Sequence, residues 1–166
     1  MATGLYAASW LQRRRGSRRS GIALALAGSG VASGTAYLGG HLVYGRGLGV
    51  DRTAFDRLPK RWTRAADAAA LTEDSPMAVD VRGVKVLLVR RGEEIFAIHD
   101  VCSHRGGPLH QGQVDADTVT CPWHGSCFRL RDGDIVRGPA TAPQPSFETR
   151  VADGTVEVRV RPSGGS

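Results

Sequence analysis

The sequence predicts an all-β domain of antiparallel strands, folded as a sandwich or barrel over residues 75–161, behind an N-terminal apolar helix. Three observations support this prediction. From residue 77 onward, stretches rich in Val, Ile and Phe alternate or cluster as they do in strands. The stretch RVADGTVEVRV has an Asp153-Gly154 pair at its centre, which is typical of a hairpin turn. Residues 20–45 contain no charged side chain.

The charge of the chain is divided unevenly. Residues 1–61 hold 10 Lys and Arg against 2 Asp and Glu, whereas residues 62–166 hold 12 against 14. The basic residues flank the uncharged run and are not interleaved with aromatic side chains that could stack on bases. We therefore expect a membrane partner and no nucleic acid.

The first segment, residues 1–50, is predicted to be membrane-bound through a helix over residues 20–45. A helix of that length spans about 39 Å, which exceeds the hydrocarbon core of about 30 Å. Small residues recur four apart, as in Gly30 and Gly34, and this spacing predicts packing against other membrane helices. An export signal and a disordered Gly/Ala tract are the alternatives. Arginines on both sides of the run leave the orientation open.

Residues 35–51, TAYLGGHLVYGRGLGVD, resemble the end of a small multi-helix bacterial membrane domain of uncharacterised function. The earlier stretch GLYAASWLQRRRG then resembles the tail of the preceding helix. Residues 51–74 are predicted to be a linker, with Pro59 breaking any long helix and a short helical turn over residues 63–71. Residues 162–166 are predicted to be a flexible tail.

The strands follow in order, and no strand-helix-strand rhythm or phosphate-binding glycine loop interrupts them, which argues against a nucleotide-binding domain. Apolar, valine-rich stretches predict strands at residues 77–81 and 85–91, and alternation predicts one within residues 93–100. Further strands are predicted at residues 118–121, 127–131 and 147–152, with the hairpin at the end.

Two short motifs indicate a metal centre. CSH places Cys102 and His104 together, and CPWH places Cys121 and His124 together. Two thiolates and two imidazoles from separate loops can bind a tetrahedral zinc or the two irons of a [2Fe-2S] cluster. In zinc fingers the two cysteines come from one element and the two histidines from another, whereas each loop here supplies one of each.

The two motifs closely resemble the cluster-binding loops of the Rieske family. CSHRGGPL resembles the first loop, CPWHGSCF the second, and GDIVRGPATAPQPSFETRV the proline-containing third loop with the strand that follows. The resemblance implies a Rieske-type fold with a cluster-binding subdomain, one [2Fe-2S] cluster per subunit, and Cys102, His104, Cys121 and His124 as metal ligands. It also implies contacts to the cofactor from the following residues: Gly106, Gly107, Trp123, Gly125, Ser126 and Pro139.

The sequence departs from the high-potential respiratory members of that family at three positions. Gly107 and Trp123 stand where those proteins have a disulfide between the loops, and Phe128 stands where they have a tyrosine that donates to a ligand sulfur. The resemblance is therefore to the ferredoxin-type branch, which implies a reduction potential near the lower end of the Rieske range. The missing disulfide also favours a cytoplasmic location.

These features predict a membrane-anchored one-electron carrier between a redox donor and an acceptor protein. We expect a component of an electron-transfer system rather than a stand-alone catalyst, because no residues remain for the mononuclear iron domain of an oxygenase. A membrane-anchored redox sensor and a structural zinc module are the alternatives. Cys127 is predicted to be a core thiol, and His99 and His110 surface or hydrogen-bonding histidines.

Overall fold

The computed structural model describes residues 1–161, and the predicted tail at residues 162–166 lies outside the described residues. The chain divides into two compact units, residues 1–46 and the residues from 47 onward. The first unit contains helix α1 (Ala2–Arg14) and helix α2 (Arg18–Gly40), and α2 continues into a π-helical turn, His41–Gly45. Within the described residues, Arg18–Gly45 is the one helical stretch long and apolar enough to cross a membrane, close to the predicted helix at residues 20–45.

Helices α1 and α2 pack against each other through glycines of α2. A Cβ added at Gly28 would lie 3.3 Å from atoms of both Leu5 and Tyr6, so a larger residue would require these neighbours to shift. Gly21 lies seven residues before Gly28 in α2, and its carbonyl accepts a 2.6 Å hydrogen bond from the Ser9 hydroxyl. The predicted packing row is elsewhere on α2: a Cβ at Gly30 or Gly34 would meet nothing within 4 Å.

The second unit contains two antiparallel sheets. The larger has the strand order β1-β10-β9-β4-β3-β2, and contact between its edge strands β1 and β2 nearly closes it into a barrel. The smaller has the order β5-β6-β7-β8. The strands are β1 (Thr63–Asp67), β2 (Met77–Val81), β3 (Val84–Arg91), β4 (Glu94–His99), β5 (Gln113–Asp115), β6 (Thr118–Thr120), β7 (Cys127–Arg129), β8 (Ile135–Arg137), β9 (Ser146–Ala152) and β10 (Thr155–Val160).

Strand β3 is buried on both faces, which explains its nearly continuous apolar sequence. Val84, Val86 and Leu88 pack inside the larger sheet, and Leu87 and Val89 point to the opposite side. Successive side chains of a strand face opposite ways, so Leu87 and Val89 leave the inside of the larger sheet and pack against the smaller sheet. The residues buried there with them are Ile98, Cys102, Leu109, Val119, Cys121, Phe128, Leu130 and Ala140.

The structure differs from the predicted linker at residues 51–74. Thr63–Asp67 is a strand that pairs antiparallel with β10, and the turn that follows, Ala68–Ala70, is a 3-10 turn rather than part of a longer helical segment. The sequence TRAAD has little strand propensity of its own, so its partner strand decides the structure. Strands β5 and β8 were not predicted, and each is three residues long. The terminal hairpin agrees with prediction, with positive φ at both Asp153 and Gly154.

Candidate metal centre

Loop 1, residues 102–107, follows β4 and contains the first predicted ligand pair. The Cys102 N–H donates to the Gly107 carbonyl at 2.9 Å, and the Gly106 N–H donates back to the Cys102 carbonyl at 2.8 Å. Gly106 has a φ of 81°, a left-handed conformation that glycine adopts without steric cost. The loop therefore closes on its own first residue and holds Cys102 at its base.

Loop 2, residues 121–126, joins β6 to β7 and repeats this pattern. The Cys121 N–H donates to the Ser126 carbonyl at 2.8 Å, and the Gly125 N–H donates to the Cys121 carbonyl at 3.1 Å. Gly125 has a φ of 74°. The two loops thus share a backbone arrangement, with a cysteine in the equivalent first position of each.

The two cysteines of the loops form a buried sulfur pair. Cys102 is 1% exposed and Cys121 is 2% exposed, and both belong to the same buried cluster of side chains. Burial raises the pKa of Cys102 to about 11, with a further contribution from the Cys121 thiol beside it. Because the thiolate is the form that binds metals, a cation is needed to deprotonate Cys102 at neutral pH.

The two histidines form a second pair. The imidazole rings of His104 and His124 have centroids 5.0 Å apart and are nearly perpendicular, at 88°. His104 Nδ1 is buried and has no hydrogen-bond partner. Burial lowers the pKa of His104, and the neighbouring His124 and Arg105 lower it further, so the imidazole is held in its neutral form. A buried neutral nitrogen without a partner is what a metal ligand presents to a metal.

The two loops contact each other at Gly107 and Trp123, the positions where the high-potential proteins mentioned above have a disulfide. A Cβ added at Gly107 would lie 2.8 Å from Cys121 Sγ and 3.1 Å from the Trp123 ring. The missing side chain therefore leaves room for both groups. Trp123 remains 57% exposed, so it covers Gly107 with one part of its ring and presents the rest to solvent.

The third loop is tied to both ligand loops. The Ser126 hydroxyl oxygen accepts the Ala140 N–H at 3.1 Å, and the Ser103 hydroxyl donates to the Ala142 carbonyl at 2.7 Å. Pro139, the predicted cofactor contact in this loop, is exposed beside the buried Ala140. Ser126 therefore has a structural hydrogen bond and keeps its own O–H as a possible donor.

Gln144 is a buried residue of the site that the sequence analysis did not identify. Its Nε2 donates to the carbonyls of His99 and Val101 at 2.9 and 3.0 Å, and its Oε1 accepts the Ser103 N–H at 2.9 Å. One side chain thus binds the backbone of loop 1 and the residues before it at three points. Its only sequence signal is a polar residue between Pro143 and Pro145, which does not indicate this role.

The two other histidines near the loops are hydrogen-bonded, and His99 is buried rather than on the surface. His99 Nδ1 accepts the Val101 N–H at 3.1 Å, which places its proton on Nε2. Nε2 lies 2.9 Å from Asp56 Oδ2, but the two atoms are not aligned as a hydrogen bond. Burial lowers the pKa of His99, although the Asp56 carboxylate acts in the opposite direction.

His110 anchors the turn after loop 1. Its backbone N–H and its Nδ1 bind the two carboxylate oxygens of the buried Asp100, at 2.7 and 2.8 Å. Asp100 also accepts the Leu109 N–H through its carbonyl at 2.8 Å. These bonds fix the segment that leads out of loop 1 towards the smaller sheet.

The donor set fits a binuclear cluster. Among residues 1–161, no group of three or more His, Cys, Asp and Glu side chains has the geometry of a site for a single metal ion. The thiols instead pair with each other and the imidazoles pair with each other. This is the division of ligands in a Rieske centre, where two cysteines bind one iron and two histidines bind the other.

Comparison with known proteins identifies the family. Residues 61–148 match the Rieske [2Fe-2S] domain. The chain belongs to the Rieske [2Fe-2S] family. Its cofactor is a [2Fe-2S] cluster and its activity is one-electron transfer, which confirms these two predictions and sets aside the structural zinc module.

Ferredoxins are among the relatives of this Rieske protein. The anthranilate 1,2-dioxygenase ferredoxin subunit of Burkholderia cepacia is 42% identical over 90 residues, which cover 54% of this chain and 82% of that protein. Ferredoxin CarAc of Metapseudomonas resinovorans is 32% identical over 98 residues, covering 58% and 92%. The solved ferredoxin of carbazole 1,9a-dioxygenase from Nocardioides aromaticivorans superposes with a TM-score of 0.57 at 29% identity, covering 61% of this chain and all of that one. These likenesses confirm the predicted fold and the ferredoxin-type resemblance.

Proposed function

We propose that Cys102 and Cys121 bind one iron of the cluster and that His104 and His124 bind the other. The observation that carries this assignment is the matched pair of loops, each closed by the same two backbone hydrogen bonds around a buried cysteine. The unpartnered Nδ1 of His104 supports it on the imidazole side. Gly106, Gly107 and Gly125 are proposed to let backbone N–H groups approach the cluster.

When bound, the cluster supplies reversible one-electron redox chemistry. The protein residues supply its surroundings and its contact with partners. His124 and Trp123 are exposed, and we propose that these ring edges form the surface at which the electron leaves. Arg105 is exposed beside His104 and is proposed to contribute a docking charge. Ser126 and Pro139 are proposed to complete the enclosure from loop 2 and the third loop.

The relatives support a specific class of partner. Their names associate them with dioxygenases that act on aromatic compounds. We propose that this protein likewise receives electrons from a reductase and passes them to an oxygenase. An anaerobic stopped-flow assay with candidate partners tests this: electron transfer at a rate limited by their association supports a carrier, whereas no rapid transfer to any oxygenase would contradict the proposed acceptor.

We propose that residues 1–50 anchor the protein in a membrane and that the Rieske domain faces the cytoplasm. The support is the 28-residue helical stretch Arg18–Gly45 and the basic residues on both sides of it. At about 1.5 Å per residue this stretch is longer than the hydrocarbon core. Expression of the full chain followed by carbonate extraction tests anchoring, and protease protection of residues beyond 60 tests the orientation. Release by carbonate would contradict the anchor.

The cluster itself is tested by anaerobic purification from membranes or from the soluble fraction. We expect two irons and two acid-labile sulfides per chain and a rhombic EPR signal after reduction. Protein that contains zinc and no sulfide would contradict the cluster.

We also propose a reduction potential near the lower end of the range of about −150 to +300 mV, because the inter-loop disulfide and the tyrosine donor are missing. A value in the upper third of that range, measured by voltammetry, would contradict this.

A further inference from the structure

Residues 50–59, named here the strap, lie before the segment that matches the Rieske domain, yet they contact loop 1. The Arg52 N–H donates a 2.8 Å hydrogen bond to the carbonyl of Ser103, and the Thr141 hydroxyl donates to the Val50 carbonyl at 3.2 Å. At its end, the Pro59 carbonyl accepts the backbone N–H of strand β10 at residue 160, at 2.7 Å. Residues 51–59 of the strap were predicted as part of a linker, but they are packed along the domain.

Ser103 is the residue through which the strap reaches the metal centre. It lies between the proposed ligands Cys102 and His104 and is 0% exposed. Its N–H binds Gln144 and its hydroxyl binds the third loop, so its carbonyl is the remaining polar group, and this group accepts the Arg52 N–H. Without the strap, a buried carbonyl in loop 1 loses this partner.

The strap is held in shape next to Arg52 by its own side chains. Asp51 Oδ1 accepts both the N–H and the hydroxyl of Thr53, at 2.8 and 2.7 Å. Thr53 is buried, at 4% exposed. Because Arg52 lies between these two residues, the Asp51–Thr53 turn fixes the direction of the Arg52 N–H.

A second contact reaches the same network further along the strap. Asp56 Oδ2 lies 2.9 Å from Nε2 of the buried His99, and the carbonyl of His99 accepts a hydrogen bond from Gln144. Gln144 also binds Ser103. The strap therefore acts on loop 1 directly through Arg52 and indirectly through His99 and Gln144.

We propose that the strap is a positioning element for the metal centre, in which Asp51 and Asp56 hold loop 1 in its ligand-binding shape. The proposal rests on the proposed function, because it takes the residues on both sides of Ser103 as cluster ligands. The backbone N–H groups of loop 1, proposed above to approach the cluster, would make weaker hydrogen bonds to it if the loop loosened, so the reduction potential would fall. Electron transfer by the Rieske domain thus depends on a segment outside that domain.

The test compares alanine and asparagine at the same positions in the full-length protein. Asp51→Ala and Asp51→Asn remove the same negative charge, but only alanine removes the acceptor that Thr53 uses. Asp56→Ala and Asp56→Asn form the second pair. Asp67→Ala is the control for loss of a carboxylate, because Asp67 is exposed on β1 and paired with Arg64.

Two measurements are made on each variant: the reduction potential with the EPR spectrum, and deuterium exchange of peptides covering residues 100–107 in loaded and cluster-free protein. We expect exchange about fivefold faster in the alanine variants, because each loses a polar contact that supports the strap against loop 1. We also expect a lower potential in the alanine variants, with both quantities close to wild type in the asparagine variants and in Asp67→Ala.

Exchange rates and potentials in the alanine variants equal to those of wild type would overturn the proposal. Equal shifts in the alanine and asparagine variants would also overturn it, because they would show an effect of charge alone. A wild-type protein without the EPR signal would defeat the proposed function, while the exchange data from cluster-free protein still decide whether the strap supports loop 1. If Asp51→Ala does not fold, Thr53→Val, which keeps the shape and loses one bond to Asp51, provides the same comparison with wild type.

Discussion

Loops 1 and 2 close in the same way but are supported differently. Loop 2 connects two adjacent strands of a hairpin, and it accepts hydrogen bonds from residues nearby in the sequence: the Ala140 N–H donates to Ser126, and the Arg137 guanidinium donates to the Gly125 carbonyl. Loop 1 is supported by Gln144, 41 residues after Ser103, and by the strap about 50 residues before it. A metal centre with two similar halves can therefore be built from local support on one side and distant support on the other.

The largest expected effect is the same in both loops. Cys102→Ser and Cys121→Ser each remove one sulfur of the proposed pair, and a serine hydroxyl is a poor ligand for iron. We expect loss of the cluster in both variants, measured as iron and sulfide content and as the EPR signal. Cys127→Ser, at a buried thiol outside the pair, is the control and should keep the cluster. A loaded Cys102→Ser or Cys121→Ser protein would show that the ligand assignment is wrong for that loop.

The next effect separates the loops. Gln144→Leu leaves the Ser103 N–H and the carbonyls of His99 and Val101 without their partner, so we expect a loss of about 3 kcal/mol in the free energy of unfolding. Arg137→Gln weakens only long, exposed bonds to loop 2 and should cost less than about 1 kcal/mol. Urea unfolding followed by circular dichroism measures both. Equal losses would contradict the difference in support between the loops.

A smaller effect is expected where the loops touch. Gly107→Ala places a methyl group 2.8 Å from Cys121 Sγ and against Trp123, and we expect overpacking of this kind to cost about 2 kcal/mol. Gly138→Ala is the control, because its added methyl meets nothing closer than 3.7 Å. Thermal unfolding and the rate of cluster loss measure the difference. A Gly107→Ala protein as stable as Gly138→Ala would show that the contact can relax.

The smallest expected effect is on how the free energy of unfolding changes with pH through His99, a residue beside loop 1. Because the pKa of His99 in the folded protein is lowered from 6.5, the unfolded chain takes up this proton first as the pH falls. The contribution of neutral His99 to the free energy of unfolding is therefore complete above pH 6.5. It is lost progressively as the pH falls below 6.5 towards the lower pKa of His99 in the folded protein. Urea midpoints at about pH 7.5 and 5.5 should differ more for wild type than for His99→Gln. An equal difference would show that other groups account for the pH dependence.

The sequence predicted what depends on neighbouring residues. The ligand motifs and the terminal hairpin at Asp153 and Gly154 are local patterns, and the structure contains the corresponding loops and turn. Strand β1 could not be predicted because its partner lies about 90 residues away in β10. Gln144 and Asp56 were missed for the same reason, since a single polar residue gives no indication of which distant backbone groups it binds.

The sulfur atoms of Cys102 and Cys121 are part of an apolar core that also contains Phe128 and Leu130. A core of this kind closes only when the two sheets have come together. Because both sulfurs are almost inaccessible to solvent in the closed protein, we expect iron and sulfide to reach them only when loop 1 or loop 2 moves away from this core. Burial of the ligands thus couples loading of the cofactor to the closing of its own binding site.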